Sequence, residues 1–246
     1  MAIVTPIWEP VLPPVAQRFV RRSIDASSEC PQLFVAPESL DTAWYQSNFP
    51  ESRFVRFHDR YFTSSRTYSH LLTEPQFYAA FHAHEFITIC QTDAVLVDNP
   101  ALVGMENLDY LGAPWNPPLH FLRVGKRLYV TSDFGHGHES RLIRLLGKPT
   151  VVGNGGLSIR RVDQSMRVTH ALSDEVSPRH RKDINEDALL CTLGPQLGLR
   201  IASPAFAESV FLESQVRDLT ELPSVTGFHG LERWNPDLIP LVIGAL

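Results

Sequence analysis

Three short stretches of the sequence carry side chains that could hold a cation or move a proton. Asp93 follows the apolar run "FITIC", Glu186 and Asp187 precede the apolar "ALL", and His229 lies in the glycine-flanked "GFHGL". Oxygen and imidazole ligands together suit Mn²⁺, whereas Mg²⁺ prefers oxygen alone. A carboxylate at the start of a helix could also serve as a general base toward a hydroxyl. The plainer alternatives are a turn cap, acids that complement a helix dipole, and a packed histidine.

The elements around these residues determine whether they can meet. "AIVTPI", "PQLFVAPE" and "ESRFVRFHD" read as strands, and segments such as "VLPPVAQRFVRRSIDAS" between them have helical spacing. This βαβαβ order is typical of a mostly parallel sheet that is covered by helices. The run "FITIC" is long enough to be a central buried strand. Asp93 would then lie at its carboxyl end, where ligands bind in such sheets.

Composition limits the class of protein. The chain has 246 residues, 43% of them hydrophobic, and a net charge of −5, so it can form a real core and has no electrostatic reason to bind nucleic acid. Its three cysteines are far apart and form no CxxC pair, which supports neither a disulfide framework nor a cysteine zinc site. We therefore expect a reducing, cytoplasmic setting.

No apolar run in the sequence approaches the roughly 20 residues of a membrane helix. The C-terminal "LIPLVIGAL" is predicted to be a buried strand, and a contact with a membrane or a partner is the alternative. A peripheral membrane contact therefore stays open.

Two loops could also contribute to a site. The glycines of residues 153–156 would let the backbone approach a ligand closely or adopt positive φ. They make no dinucleotide fingerprint, because Ser158 replaces its third glycine, and the chain has no phosphate loop and no GxSxG nucleophile elbow. In "FGHGHES", His136, His138 and Glu139 have a spacing seen in metal sites, although two such histidines in a polar loop are more commonly just solvated.

Taken in order, the motifs resemble a domain family of unknown specificity whose members look like GT-A-fold glycosyltransferases. The resemblance runs from about residue 3 to 234, and its strongest pieces are "DYLGAPW" and "VGNGGLSIRRV". It implies an α/β fold with a mixed, mostly parallel central sheet flanked by helices. It further implies one domain over 1–246, with a nucleotide-sugar-binding half over about 1–100 and an acceptor-binding and catalytic half over about 101–246.

The same resemblance implies a transferase that moves a sugar from a nucleotide-sugar donor to a hydroxyl of a glycan or glycoconjugate acceptor. In GT-A enzymes a DxD motif at a strand end binds a divalent metal and the donor diphosphate. Gln91, Thr92 and Asp93 occupy that place here, so Gln91 replaces the first acid and Asp93 remains as the expected ligand. His229 resembles a C-terminal histidine that often joins the metal or the diphosphate. The expected cofactor is Mn²⁺ or Mg²⁺, and metal independence is the alternative.

The segment 185–187 resembles the xED motif, whose Asp is the base in inverting members. This implies Asp187 as the general base with Glu186 beside it, although inverting and retaining reactions both occur on this fold. The resemblance also implies a set of residues that contact the donor and a set that contact the acceptor. Arg66 could equally be a surface charge, and Trp115 a core aromatic. The donor set is Arg66, Tyr68, Gln91, Thr92, Asp93, Gly155 and Gly156, and the acceptor set is Trp115 and Asn154.

Two other functions remain open from the sequence. A module that binds sugar nucleotides or glycans without turnover is favoured by Gln91 in place of an acid. A metal-dependent phosphoesterase could use Asp93 together with His136 and His138.

Overall fold

The computed structural model describes residues 1–132, 138–177, 183–213 and 224–244. The strands in these ranges are β1 (Ala2–Pro6), β2 (Gln32–Pro37), β3 (Arg53–Phe57), β4 (Phe86–Cys90), β5 (Ala94–Leu96), β6 (Tyr110–Gly112), β7 (Pro114–Val124), β8 (Arg127–Ser132), β9 (Lys148–Val152), β10 (Leu157–Arg161), β11 (Phe211–Glu213) and β12 (Gly227–His229). The helices are α1 (Pro14–Ala26), α2 (Ala43–Asn48), α3 (Ser65–Leu71), α4 (Pro75–Ala79), α5 (His138–Leu146), α6 (Val162–Glu175), α7 (Glu186–Leu193), α8 (Pro204–Val210), α9 (Leu231–Trp234) and α10 (Ile239–Ile243).

A six-stranded sheet in the order β3-β2-β1-β4-β10-β6 forms the centre of the molecule. β1 pairs in parallel with both β2 and β4, and β2 pairs in parallel with β3. β10 is antiparallel to its neighbours β4 and β6. This arrangement confirms the prediction of a mixed, mostly parallel central sheet.

The position of each strand follows its pattern of apolar residues. Every residue of β1 is buried, as are the last four of β4, because the central strands of such a sheet are covered on both faces. β3, with the sequence "RFVRF", exposes Arg53 and Arg56 at the edge of the sheet. Charged side chains on an edge strand discourage further strand pairing.

Helices cover both faces of the sheet. α1 turns Phe19, Val20 and Ile24 inward, at the spacing of one helical face. On the other side, α6 and α7 enclose a core with Leu172 and Leu189, which also contains Tyr110 of β6. Each fully buried apolar side chain of this size contributes roughly 1.5–3 kcal/mol relative to its exposed state.

The apolar run that contains Asp93 divides between two sheets. β4 ends at Cys90, and after a turn over 91–93 the chain enters β5, which belongs to the three-stranded sheet β11-β12-β5. The antiparallel pairing of β5 with β12 sets His229 opposite Ala94. This register brings a residue 136 positions away in sequence next to Asp93.

The C-terminal apolar segment is a helix, so the prediction of a strand was wrong. Ile239 and Val242 of α10 pack into a cluster with Phe19 of α1. Pro240 fits the first turn of a helix, where no N–H is needed, but it could not donate to a strand ladder. Within the described ranges, no helix has both the length and the apolar character needed to cross a membrane.

Candidate active site

Asp93 and His229 form a pair at the rim of the central sheet. His229 Nε2 lies 3.4 Å from Asp93 Oδ1, and His229 Nδ1 lies 3.4 Å from Glu213 Oε1. The imidazole is mostly buried, whereas the Asp93 side chain is 53% exposed. The backbone N–H of Gly230 donates to the Asp93 carbonyl at 3.0 Å, which ties the two segments together. The pair therefore has one buried partner and one that faces solvent.

The charges of this pair stabilise each other. Burial acts to lower the pKa of His229, but the nearby carboxylates of Asp93 and Glu213 outweigh burial and raise that pKa to about 9. Burial acts to raise the pKa of Asp93, and His229 outweighs it, so the pKa of Asp93 lies below its ordinary value. The protonated imidazole thus has a carboxylate on each side.

Asn154 faces the same imidazole nitrogen, Nδ1, as Glu213 does. Its Oδ1 accepts from the N–H groups of Gly156 and Leu157 at 2.8 and 3.2 Å, so its Nδ2 faces His229 Nδ1 at 3.0 Å. An amide donor at this position favours an unprotonated Nδ1, whereas the two carboxylates favour a protonated imidazole. The two carboxylates outweigh the amide because they carry full charge. Asn154, predicted at the acceptor site, therefore contacts His229.

Asp93 and His229 could ligate a divalent cation once the imidazole has released its proton. Nε2 is buried and has no hydrogen-bond partner in the described part of the chain, since its 3.4 Å contact with Asp93 lacks hydrogen-bond geometry. Glu213 would orient the imidazole from its other nitrogen. Among the described residues no group of three His, Cys, Asp or Glu side chains could hold a metal, so substrate oxygens would have to complete the set.

The glycine loop over 153–156 passes between this pair and the acids at the start of α7. A Cβ on Gly156 would overlap His229 Nε2 and stand 2.8 Å from Gln91 Oε1. A Cβ on Gly155 would overlap Glu186 Oε1. Positive φ occurs at other glycines of the described chain, not in this loop. These glycines thus let the backbone lie against the Glu186 and His229 side chains, and the predicted approach to a ligand stays a prediction.

Glu186 belongs to a buried network. Arg160, which is fully buried, donates to Glu186 Oε1 at 3.0 Å and to the Tyr78 hydroxyl at 3.0 Å. Ser69 donates its hydroxyl to Glu186 Oε2 at 2.6 Å and accepts from the Glu186 N–H at 2.7 Å. Both carboxylate oxygens are thereby held and neutralised. The contacts favour a positioning role for Glu186, because the network fixes the first turn of α7.

Asp187, the next residue, faces the glycine loop. Its Oδ2 accepts from the Gly155 N–H at 3.2 Å, and its Oδ1 accepts from the Ala188 N–H at 2.6 Å. Burial, followed by the charge of Glu186, raises the pKa of Asp187 to about 7, against the opposing effect of these N–H groups and Arg160. A half-buried carboxylate with this pKa is ionised in a large fraction of molecules at neutral pH and suits general base catalysis.

The predicted donor contacts on α3 lie beside this network. The Arg66 side chain is 61% exposed and donates to the Asp183 carbonyl at 2.9 Å. Tyr68 is buried, with its ring 6.2 Å from that of Trp8 and its hydroxyl unpaired among the described residues. Arg66 is thus accessible to a ligand, whereas Tyr68 is buried and packs near Trp8.

Two further regions were predicted to contribute to the site. Trp115 is half-buried and packs against Gly153 and the core around Tyr110, which agrees with the alternative of a core aromatic. His136 lies outside the described residues. His138 begins α5 and is exposed, so the proposed phosphoesterase cluster stays a prediction.

A cavity next to Asp93 contains residues that the sequence reasoning missed. It has a volume of about 150 Å³ and is lined by Trp8 and Glu9, which follow β1, and by Thr92 and Asp93. The signal was available, because "IWEP" directly follows the first strand at the same carboxyl edge of the sheet. A larger cleft of about 340 Å³ between α1 and α2 lies around Arg21, which is paired with Glu51, and has no acid–base pair like that at Asp93.

Comparison with known proteins gives the family and the fold. The sequence profile described as "Protein of unknown function (DUF5672)" matches residues 51–229. The solved galactosyltransferase LgtC, in complex with donor and acceptor sugar analogs, aligns with a TM-score of 0.59 at 11% identity, over 100% of this chain and 96% of LgtC. An active-site mutant of LgtC aligns with a TM-score of 0.57 at 13% identity, over 99% and 95%. The bifunctional glycosyltransferase WbbM aligns with a TM-score of 0.55 at 10% identity, over 98% of this chain and 49% of WbbM.

No curated protein sequence matches the chain significantly. Because their identities to this chain are low, the solved structures establish its fold alone. The family profile covers well over half of the chain and establishes its family. The chain therefore belongs to the DUF5672 family and has the GT-A fold of glycosyltransferases.

Proposed function

We propose that the protein transfers a sugar from a nucleotide-sugar donor to a hydroxyl of a glycan or glycoconjugate acceptor. The supporting observation is the glycine loop, which donates to Asp187 from Gly155 and touches His229 at Gly156. The proposed base and the proposed cation ligands thus adjoin one loop. The shared fold with LgtC, solved with donor and acceptor sugar analogs, supports the same proposal.

Asp187 is the proposed base. It would take the proton of the acceptor hydroxyl as the oxygen attacks the anomeric carbon, and burial has raised its pKa toward neutrality for this task. Glu186 and Arg160 hold the start of α7 in place. A base acting on the attacking hydroxyl predicts inversion at the anomeric carbon.

Asp93 and His229 are the proposed ligands of a divalent cation, Mn²⁺ or Mg²⁺, with the Gln91 amide oxygen nearby. When bound, the cation would neutralise charge that develops on the departing diphosphate. The exposed Asp93 carboxylate leaves room for phosphate oxygens on its open side.

The cavity beside Asp93 is the proposed nucleoside site. Trp8 is 43% exposed there and offers an aromatic face to a base. The Glu9 carboxylate can accept from ribose hydroxyls. Arg66, which is largely exposed on α3, remains a proposed phosphate contact.

Turnover of a panel of nucleotide sugars tests the proposal. The protein is incubated with each donor, Mn²⁺ or Mg²⁺ and mixed glycan acceptors, and released nucleoside diphosphate is measured. Asp187→Asn should lower transfer by roughly 10²- to 10⁴-fold. Asp163→Asn is the matched control, because Asp163 Oδ1 likewise accepts from the next backbone N–H but faces solvent. Transfer by Asp187→Asn at the parental rate would remove the base assignment.

A binding module without turnover is the second candidate, and it is favoured by Gln91 beside His229 where an acid was expected. Calorimetry with the same donors distinguishes the two functions. Binding of a nucleotide sugar with no diphosphate released over a long incubation would select the module.

A further inference from the structure

A projecting surface of leucines lies on the lobe formed by β7, β8, β9 and α5. Leu142, Leu145 and Leu146 are 51%, 80% and 59% exposed. Their spacing places them on one face of α5. Ile143 is buried, and α5 packs against β7 and β8. The helix therefore buries one apolar side chain and presents three to solvent.

Basic residues flank these leucines. The segment 116–148 contains six Lys or Arg residues and two acidic ones, in a chain whose net charge is −5. Lys126, Arg127, Arg141 and Lys148 are exposed. The segment is thus a basic region on a protein that is otherwise acidic.

The hairpin between β7 and β8 extends the same surface. Lys148, just after α5, pairs with Phe121 of β7, and Val124 at the hairpin end is 58% exposed. Three residues of strand separate Phe121 from Val124, which is about 10 Å. The exposed leucines, Val124 and Lys126 can therefore contact the same flat partner at once.

We propose that this leucine–basic surface, formed by the three leucines of α5 with Val124, Lys126, Arg127, Arg141 and Lys148, docks the protein on an anionic lipid bilayer. Apolar side chains on a projecting helix with basic residues beside them match an interfacial helix, whose leucines enter the headgroup boundary while its cations meet anionic headgroups. The charge of the segment complements such a membrane and opposes the net charge of the rest of the chain. β9 runs from this surface directly into the glycine loop, so docking would hold the candidate site near the bilayer.

Vesicle flotation of the full chain tests the proposal. We expect binding to vesicles of phosphatidylcholine mixed with phosphatidylglycerol, weakened by salt, and no binding to phosphatidylcholine alone. Leu145→Glu combined with Leu146→Glu should lower the affinity roughly ten-fold or more. Lys126→Glu, on the hairpin, should lower it by a few-fold and tests the surface independently of α5.

Leu241→Glu is the matched control, since Leu241 is 51% exposed on α10 at the C-terminus. This variant should bind as the parent does, and all variants should keep the parental melting temperature. The proposal fails if the parent does not bind anionic vesicles, if the double variant binds as the parent does, or if Leu241→Glu loses binding instead. It also fails if sedimentation shows that the leucines join two copies of the chain and that vesicles bind neither form.

Discussion

Two charged centres flank the glycine loop, and they differ in how their charge is balanced. At Arg160 and Glu186 both partners are buried and their polar atoms are taken up by protein groups. At Asp93 and His229 one partner faces solvent and the imidazole Nε2 has no hydrogen bond within the described chain. The first centre is closed and serves the scaffold, whereas the second is open and suited to a ligand. Substitutions should therefore affect stability at the first and binding at the second.

Arg160→Met should give the largest loss of stability, about 3–5 kcal/mol, because it leaves Glu186 as an unpaired buried charge. Adding Glu186→Leu should recover most of that loss, since no buried charge then remains. Arg21→Met, which breaks the partly exposed pair with Glu51, should cost less than about 1 kcal/mol. Denaturant unfolding measures all three. Equal losses for Arg160→Met and Arg21→Met would contradict the contrast between a closed scaffold pair and a surface pair.

Asp93→Asn should lower stability by only about 1 kcal/mol, because Asp93 stabilises the protonated His229 but its side chain is 53% exposed. It should weaken the binding of a nucleoside diphosphate with Mn²⁺ about 10- to 100-fold, through the lost charged contact. Isothermal calorimetry gives the affinity. Asp98→Asn is the control, since Asp98 is also exposed and accepts from the next N–H, yet lies outside the cavity. A similar affinity loss for both variants would argue against a specific site at Asp93.

Gly156→Ala should disturb both the loop and the pair formed by Asp93 and His229. The new Cβ would overlap His229 Nε2, and moving that buried ring should cost about 1–3 kcal/mol. Gly104→Ala is the control, because its Cβ would meet only the flexible end of Glu106 at 3.3 Å. Thermal melts compare the two, and a larger destabilisation by Gly104→Ala would show that the loop is not tightly packed.

Asp187→Asn should become more stable than the parent as pH rises, by on the order of 1 kcal/mol after allowing for partial exposure. The folded-state pKa of Asp187 is raised to about 7, above the unfolded value near 4, so stability from its proton is full below pH 4 and lost as pH rises through 7. Asparagine has no such proton to lose. Melting temperatures of both proteins between pH 4 and 8 measure the gap, which should widen with pH.

Much of the fold followed from the sequence. The apolar runs of β1 and β4 and the helical spacing of α1 predicted a parallel, helix-covered sheet, and the motif order implied its GT-A character. The strand prediction for the C-terminal segment was wrong, because an apolar run of nine residues fits a strand and a helix equally well. Only Pro240, which is tolerated in the first turn of a helix, favours the helix.

The site was only partly predictable. The sequence nominated Asp93, Asp187 and His229, but the meeting of His229 with Asp93 depends on a pairing of β5 and β12 that no local pattern specifies. The burial of Glu186 by Arg160 likewise arises from tertiary packing. Trp8 was overlooked because a single tryptophan after a strand has no periodicity to mark it.

The central claim is that the glycine loop joins a base to an open donor site, and one comparison tests it most directly. Nucleoside diphosphate binding and sugar transfer are measured for the parent and Asp187→Asn from pH 6 to 8, with Mn²⁺ present. We predict that the variant binds as the parent does but transfers roughly 10²- to 10⁴-fold more slowly, and that only the parental rate rises through about pH 7. An Asp187→Asn protein with the parental rate and pH profile would contradict the account.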